Sequence, residues 1–251
     1  MNQFIADSAK IGKETKIGFN AIISENVVIG KNCQIGHNVI IHEGSEIGNF
    51  VRIDDNTIIG KKPLSSPRSI FKVASDLKPT KIGNQCQIGA NVVIYVQSII
   101  GENCLIADLA TIRENVEIGK LNIIGRNVSV ENFVKIGERC KLETNCYITA
   151  YSKIEDYCFI APMVATSNDN FMARDKERYK HFKGITMKKG SRIGVNATIL
   201  PGKIIHEDGV VAAGSLVTKD VSKNELWLGS PAKVNRKVPE VQLLKNNLDE
   251  K

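Results

Sequence analysis

Residues 5–58 read, in blocks of six, IADSAK IGKETK IGFNAI ISENVV IGKNCQ IGHNVI IHEGSE IGNFVR IDDNTI, and every block opens on isoleucine. The step of six reaches Ile59, skips 23 residues to resume at Ile82, and runs unbroken to Ile160. A second skip of 27 leads to Met187, from which the step continues to Val217. Thirty hexads result, each opened by an aliphatic residue or methionine. Such a period is neither a helical stripe nor a simple alternation; it fits a short strand plus a turn. Glycine recurs at the second position (Gly12, Gly18, Gly30, Gly36, Gly48), and asparagine at the fourth (Asn20, Asn32, Asn38, Asn91, Asn103, Asn127, Asn196). Both residue types tolerate left-handed backbone angles, which suits a corner repeated every six residues. Three corners close a triangle, so 18 residues make one coil, and thirty hexads predict an all-β parallel β-helix of about ten coils.

Composition agrees with a folded repeat protein and excludes other classes. The chain has 251 residues, 42% hydrophobic and 24% charged, which supports a core and argues against disorder. No apolar run approaches the ~20 residues of a membrane span, and the N-terminus opens no signal peptide. The net charge is +7, but segments 61–81 and 166–192 carry +5 each, leaving −3 for the remainder. Positive charge gathered at two places favours small phosphorylated ligands over a nucleic-acid groove. Cys33, Cys86, Cys104, Cys140, Cys146 and Cys158 all fall at the fifth hexad position, beside the aliphatic ladder. They read as free, buried core thiols, consistent with a reducing, cytoplasmic setting. The sixth position should face outward, yet Ile22, Ile40 and Ile58 lie 18 apart, as do Leu105 and Ile123. Phe159 belongs to the second of these rows. Apolar stripes of this kind ask to be covered, so a homo-oligomer is expected.

Two basic excursions, 61–81 and 166–186, break the repeat. Corner insertions on a rigid solenoid gather ligand-binding residues. Arg68 and Phe71 in the first, and Phe171 in the second, are candidates for gripping phosphates and covering a base or sugar. The repeat domain spans 1–238, and 239–251 is expected to form a short amphipathic cap helix. Among four histidines, His37, His42 and His206 sit in ordinary hexads and read as surface residues, while His181 lies in the second insertion. No three are spaced as metal ligands, so no metal is expected. Hexads 106–111 and 112–117 place Asp108 and Glu114 at successive corners, with Arg113 projecting between. At ~3.3 Å per residue, such corners lie up to ~20 Å apart, too far for a dyad within one chain. Across an oligomer interface either carboxylate could face a neighbour's cleft.

The stretches IADLATIRENVEIG (106–119), IAPMVATSNDNFMARDKERYKHFKG (160–184), GSRIGVNATILPG (190–202), GSLVTKDV (214–221) and GSPAKV (229–234) carry a resemblance. Over about residues 5–238 the chain resembles the nucleotide-sugar N-acyltransferases of the hexapeptide-repeat superfamily, above all those acetylating a 3-amino-3,6-dideoxyhexose on dTDP. The resemblance implies a left-handed β-helix and a homotrimer with active sites between subunits. It implies acetyl-CoA as co-substrate and a nucleotide-linked amino sugar as acceptor. It also implies that Asp108 and Glu114 lie near the amino sugar, with Asn168 and Asp169 where the thioester meets it. Pro201, Gly202, Ala213, Gly214 and Ser215 would line the CoA arm, and Lys233 its phosphate end. No histidine occupies a core hexad that could serve as base, which suits direct attack by an amine. An O-acetyltransferase would need such a base, and a non-catalytic scaffold would need neither basic insertions nor the GSPAKV tail.

Overall fold

The structure is a computed structural model that describes residues 3–67 and 76–248. The hexads fold into a parallel β-solenoid with three faces, of eleven, ten and twelve strands. Face one begins at Phe4–Ile5, face two at Lys10–Ile11 and face three at Lys16–Ile17. Each pairs in parallel with the strand one coil further on, as in Phe4↔Ile22, Ile11↔Ile29 and Ile17↔Ile35. Most strands are two residues long, the first facing out and the second in. The inward residues stack into one continuous core in which Ile23, Ile41, Ile59, Ile94, Ile112 and Ile148 are all fully buried. Outside, Ile22, Leu105 and Ile123 remain exposed, so the apolar stripes are real surface features.

The solenoid is longer than the ten coils the hexad count predicts, because two rungs are not opened by aliphatic residues. Ala165–Thr166 pairs with face one, placing Thr166 in the ladder. Its hydroxyl donates to Tyr147 O at 3.1 Å and accepts the Thr149 N–H at 2.8 Å, which satisfies a polar side chain in an apolar core. Face three gains Glu225–Gly229, where Trp227 pairs with Val211, and then the antiparallel strand Ala232–Lys237. The tail is helical in short turns, not as one continuous helix. It makes two single 3-10 turns, Glu240–Gln242 and Leu244–Asn246, separated by extended Leu243. Leu243 is buried and the Leu244 N–H donates to Asp208 Oδ1 at 2.9 Å, anchors that hold the segment down residue by residue.

Corners obey two demands. The fourth residue turns the chain in the left-handed region, at φ 57° in Asn20 and 53° in Asn127, but also at 64° in Leu109 and 61° in Phe133. The second residue lies so close to the next coil that a Cβ on Gly30 would stand 2.5 Å from Gly48 O. The corner between faces two and three carries the thiol column. Cys33, Cys86 and Cys104 each donate to the carbonyl 15 residues on, at 3.1 Å, and Cys140 does so at 3.0 Å. Asn122 replaces cysteine in this column. Its Nδ2 donates to Gly119 O and Gly137 O, both at 2.8 Å, while Oδ1 accepts the Cys140 N–H at 2.6 Å.

Asn122→Leu keeps the volume but strips three buried backbone groups of their partner. At ~1–3 kcal/mol for each unsatisfied group, the variant should lose about 3 kcal/mol or more of unfolding free energy. Denaturant unfolding checks this, with Cys104→Ser, which keeps a donor, expected to cost much less.

Candidate functional site

Both insertions leave the solenoid at one corner, between faces one and two. The first runs from Ile59 on face one to Ile82 on face two, and the second from Thr166 to Met187. Five rungs separate their roots, which at ~4.8 Å per rung is about 24 Å along the axis. Between them the outward second positions of successive hexads stack in one column: Tyr95, Arg113, Glu131, Thr149 and Ser167. The third positions beside them are Val96, Glu114, Asn132, Ala150 and Asn168. Below Tyr95 the corner opens into a groove of about 810 Å³ lined by His42, Lys61, Lys62, Asp76 and Pro79. Burial and the two lysines hold the His42 imidazole below its ordinary pKa, so it stands neutral at pH 7.

The middle of the column is charged and half-buried. Arg113 forks onto Glu114, Nε at 2.9 Å from Oε2 and Nη2 at 3.1 Å from Oε1, and Glu114 itself is buried. The same guanidinium lies 5.1 Å from the centre of the Tyr95 ring. Its remaining Nη1 reaches Glu131 Oε2 at 3.5 Å, a looser contact than the fork. Burial pushes the Glu131 carboxyl above the usual carboxylate range; Arg113 pulls it back and Glu114 pushes it up again. Burial and the nearby Glu131 likewise raise the Tyr147 phenol. Asn132 is 2% exposed, and its Nδ2 has no hydrogen-bond partner. With Arg113 paired to Glu114, the cluster carries an unbalanced negative charge on Glu131.

The sequence-predicted residues divide between this corner and others. Glu114 and Arg113 lie together in the column, and Asn168 lies at its upper end, where its carbonyl accepts the Lys183 N–H at 3.2 Å. Asp108 stands on the corner between faces three and one, across face one from Glu114. Its Oδ1 accepts the Ala90 N–H at 2.9 Å, the same coil-to-coil bond that Asp55 makes to His37 at 2.6 Å. Asp169 organises the second insertion, accepting from Phe171 N, Ala173 N and Arg178 Nη1 at 2.8, 3.0 and 3.0 Å. Burial pushes its carboxyl up, but those donors together outweigh it and hold the group below the ordinary value. Phe171 stacks on His181 with ring centres 5.5 Å apart. Pro201 and Gly202 are on the first corner above the insertion, whereas Ala213, Gly214 and Ser215 are on the Asp108 corner. Gly214, at φ 66°, has open space where a side chain would go, and Lys233 is exposed on the last strand. Arg68 and Phe71 lie outside the described residues. Among the described residues no three His, Cys, Asp or Glu side chains are grouped to hold a metal ion.

Tyr95, Glu131, Asn132 and Tyr147 were not singled out by their sequence context. The signal for Glu131 and Asn132 was the coil length: they stand one full coil after Arg113 and Glu114.

Comparison with known proteins adds matches to hexapeptide-repeat profiles. A profile of the bacterial transferase hexapeptide (six repeats) matches residues 8–43 and 97–132. A profile of the hexapeptide repeat of succinyl-transferase matches residues 26–61, 79–107 and 189–219. A Staphylococcus aureus (strain Mu50) protein, provisionally named an acetyltransferase, is 39% identical over 75 residues, 30% of this chain and 37% of that one. The dTDP-3-amino-3,6-dideoxy-α-D-galactopyranose 3-N-acetyltransferase of Aneurinibacillus thermoaerophilus is 46% identical over 48 residues, 19% of this chain and 25% of that one. The matches thus span little more than a third of these relatives at most. Among solved structures, the Arabidopsis UDP-N-acetylglucosamine acyltransferase superposes with a TM-score of 0.63 at 18% identity, over 97% of this chain and 75% of that one, a likeness of fold.

Glu131 makes the site costly to keep charged. A carboxyl whose pKa is raised by folding favours the protonated form, so its ionisation removes stability as pH rises through the raised value. Glu131→Gln should therefore melt above the wild type at neutral pH, and the gap should close below the ordinary glutamate value of 4.5. Melting curves across that range test the sign.

Proposed function

We propose, from the matches to hexapeptide-repeat transferase profiles, that the protein transfers an acyl group from acyl-CoA to the amine of a nucleotide-linked amino sugar. The observation that carries the choice of an amine is the charge of the column. Arg113 forks onto Glu114 and reaches Glu131 only loosely, so one cation is set against two carboxyls, and half-buried Glu131 keeps a Tyr147 hydrogen bond as its other partner. A buried, unbalanced carboxylate calls for a cation, which an ammonium group supplies and a hydroxyl does not. Between the insertions, column members Tyr95, Arg113, Glu131, Thr149 and Ser167 include no histidine to activate a hydroxyl, and His42, on the same edge, lies below the first insertion. The acceptor best matching the sequence resemblance is a dTDP-3-amino-3,6-dideoxyhexose, and the Aneurinibacillus relative acts on such a sugar by name.

The chemistry follows from those groups. The sugar arrives as an ammonium ion and gives one proton to the Glu131 carboxylate, whose raised pKa suits it to accept. The free amine attacks the thioester carbonyl carbon, forming the C–N bond. Asn132, with an unspent Nδ2, is placed to donate to a developing oxyanion or to a sugar oxygen. Collapse breaks the C–S bond, and the second amine proton passes to the departing thiolate. Holding the two reactants in line is the larger contribution, since a neutral amine needs little activation. In this reading Asp108 serves the coil-to-coil bond, and the proton-accepting role falls to Glu131. Glu114 keeps its place as the partner that fixes Arg113, and Asn168 stands where the second insertion meets the column.

The CoA arm is assigned to two edges. Pro201 and Gly202 on the first corner, and Ala213, Gly214 and Ser215 on the third, flank face one on opposite sides. A homotrimer would bring the first corner of one subunit against the third corner of its neighbour and close the arm between them, Lys233 meeting a phosphate. The apolar stripe Phe4, Ile22, Ile40 on face one, exposed in part, supports such a packing. Acting on a nucleotide sugar with acyl-CoA, the protein would work in the cytoplasm, on precursors of surface polysaccharide.

Thiol release from acetyl-CoA should be rapid with a dTDP-3-amino-3,6-dideoxy sugar. Glu131→Gln should lower kcat/KM by roughly 10²–10⁴ while CoA still raises the melting temperature. Turnover only with a 4-amino or UDP-linked sugar would move the amine or the base. Silence with every amine, while CoA binds, would replace the N-acylation reading by a hydroxyl acceptor.

A further inference from the structure

Tyr95 is gripped by both ends of the first insertion. Lys61, where the insertion begins, pairs with Tyr95 across a bulge in the register, and the Val96 N–H donates to Lys61 O at 3.1 Å. From the returning end, the Gln97 N–H donates to Lys78 O at 3.0 Å. Thr80, fully buried, donates its hydroxyl to Tyr95 O at 2.9 Å. Lys61 Nζ lies 5.6 Å from the centre of the Tyr95 ring, and the Arg113 guanidinium 5.1 Å from it. The main chain of Arg113 is pinned in the same way, by the buried Ser98 hydroxyl at 2.8 Å from its carbonyl. The guanidinium itself is held by side chains alone, the fork onto buried Glu114, the looser reach to Glu131 and the Tyr95 ring. A flat aromatic face selects one orientation of a planar cation.

We propose that Tyr95 is a positioning residue whose ring sets the Arg113 guanidinium against Glu131, so that the first insertion governs the amine site through its roots. The inference rests on the N-acylation reading for its kinetic consequence, and on geometry alone for its structural one. Glu131 is faced by Arg113, Glu114 and Tyr147. If Arg113 leaves, Glu131 keeps its burial and the push from Glu114 but loses the partial share of the guanidinium that now reaches it at 3.5 Å. The carboxyl must then titrate higher, and the acidic limb of the kcat/KM profile must move toward neutral pH.

The experiment uses the full chain in three forms: wild type, Tyr95→Phe and Tyr95→Leu. Phenylalanine keeps the ring and should reproduce the wild-type profile and Arg113 placement. Leucine should shift the acidic limb upward and raise the KM for the amino sugar about tenfold, the scale of a lost cation–π contact, with the KM for acetyl-CoA unchanged. Its crystal structure should show Arg113 Nη1 moved off Glu131. Should Tyr95→Leu fold poorly, Arg113→Lys, which keeps the charge and loses the planar face, should give the same shift in pH profile. An unmoved guanidinium in Tyr95→Leu, or a Tyr95→Phe profile as displaced as that of Tyr95→Leu, overturns the proposal. If the wild type acylates no amine, the N-acylation reading falls, and the crystal structures alone decide the placement of Arg113.

Discussion

The solenoid depends on closing a turn every six residues while keeping each backbone within hydrogen-bonding distance of the coils above and below. That constraint forces the fourth hexad residue into the left-handed region even where it is leucine, phenylalanine or tyrosine. Such residues carry ~1 kcal/mol or more of backbone strain apiece, which only a surrounding ladder can hold. It also removes the Cβ from many second positions, where glycine stacks on the next coil. The ladder bonds and the ladder of isoleucines are two sides of one requirement. Polar atoms at the corners must be paired with the neighbouring coil, and the side chains left inside must be apolar or, like Thr166 and Asn122, have their polar atoms hydrogen-bonded.

From that requirement comes the site. Because the register is fixed at three hexads per coil, any second or third position repeats above itself along one edge. Tyr95, Arg113 and Glu131 stand one above another because the ladder fixes their backbones in register. The same rigidity explains where the polar interior lies. Thr80 and Ser98 appear at fifth positions beneath the column, and their hydroxyls take up the carbonyls of Tyr95 and Arg113. The neighbouring coils use Val116 and Val134 at those positions.

The fold was legible in the sequence almost coil by coil, since a single aliphatic residue in six marks every inward strand. The exceptions were physical. Thr166 enters the ladder with its hydroxyl satisfied, and Trp227 continues it after the period has lapsed, so neither could be found by stepping through aliphatics. The site was legible in part. Glu114 and Arg113 stood out in their hexad, but Asp108, its neighbour in sequence, turned out to share an edge with Gly214 instead. One hexad along the chain is one corner around the prism, whereas three hexads are one step along an edge. Glu131 and Asn132, eighteen residues on, therefore stand beside Arg113 and Glu114, while Asp108, six residues before Glu114, lies across the face. Asp169, a carboxylate in a suggestive motif, is committed to the hydrogen bonds that shape its own loop.

Two insertions rooted on one corner, with whole coils between them, make the solenoid a ruler graduated in rungs. The opening between them can change only by adding or deleting a complete coil, a step of about 4.8 Å. A shorter indel of one or two hexads would rotate one insertion onto another edge, so that the two no longer shared a corner. The spacing of the two insertions is therefore set in discrete jumps, and between jumps only the loops themselves are free to vary.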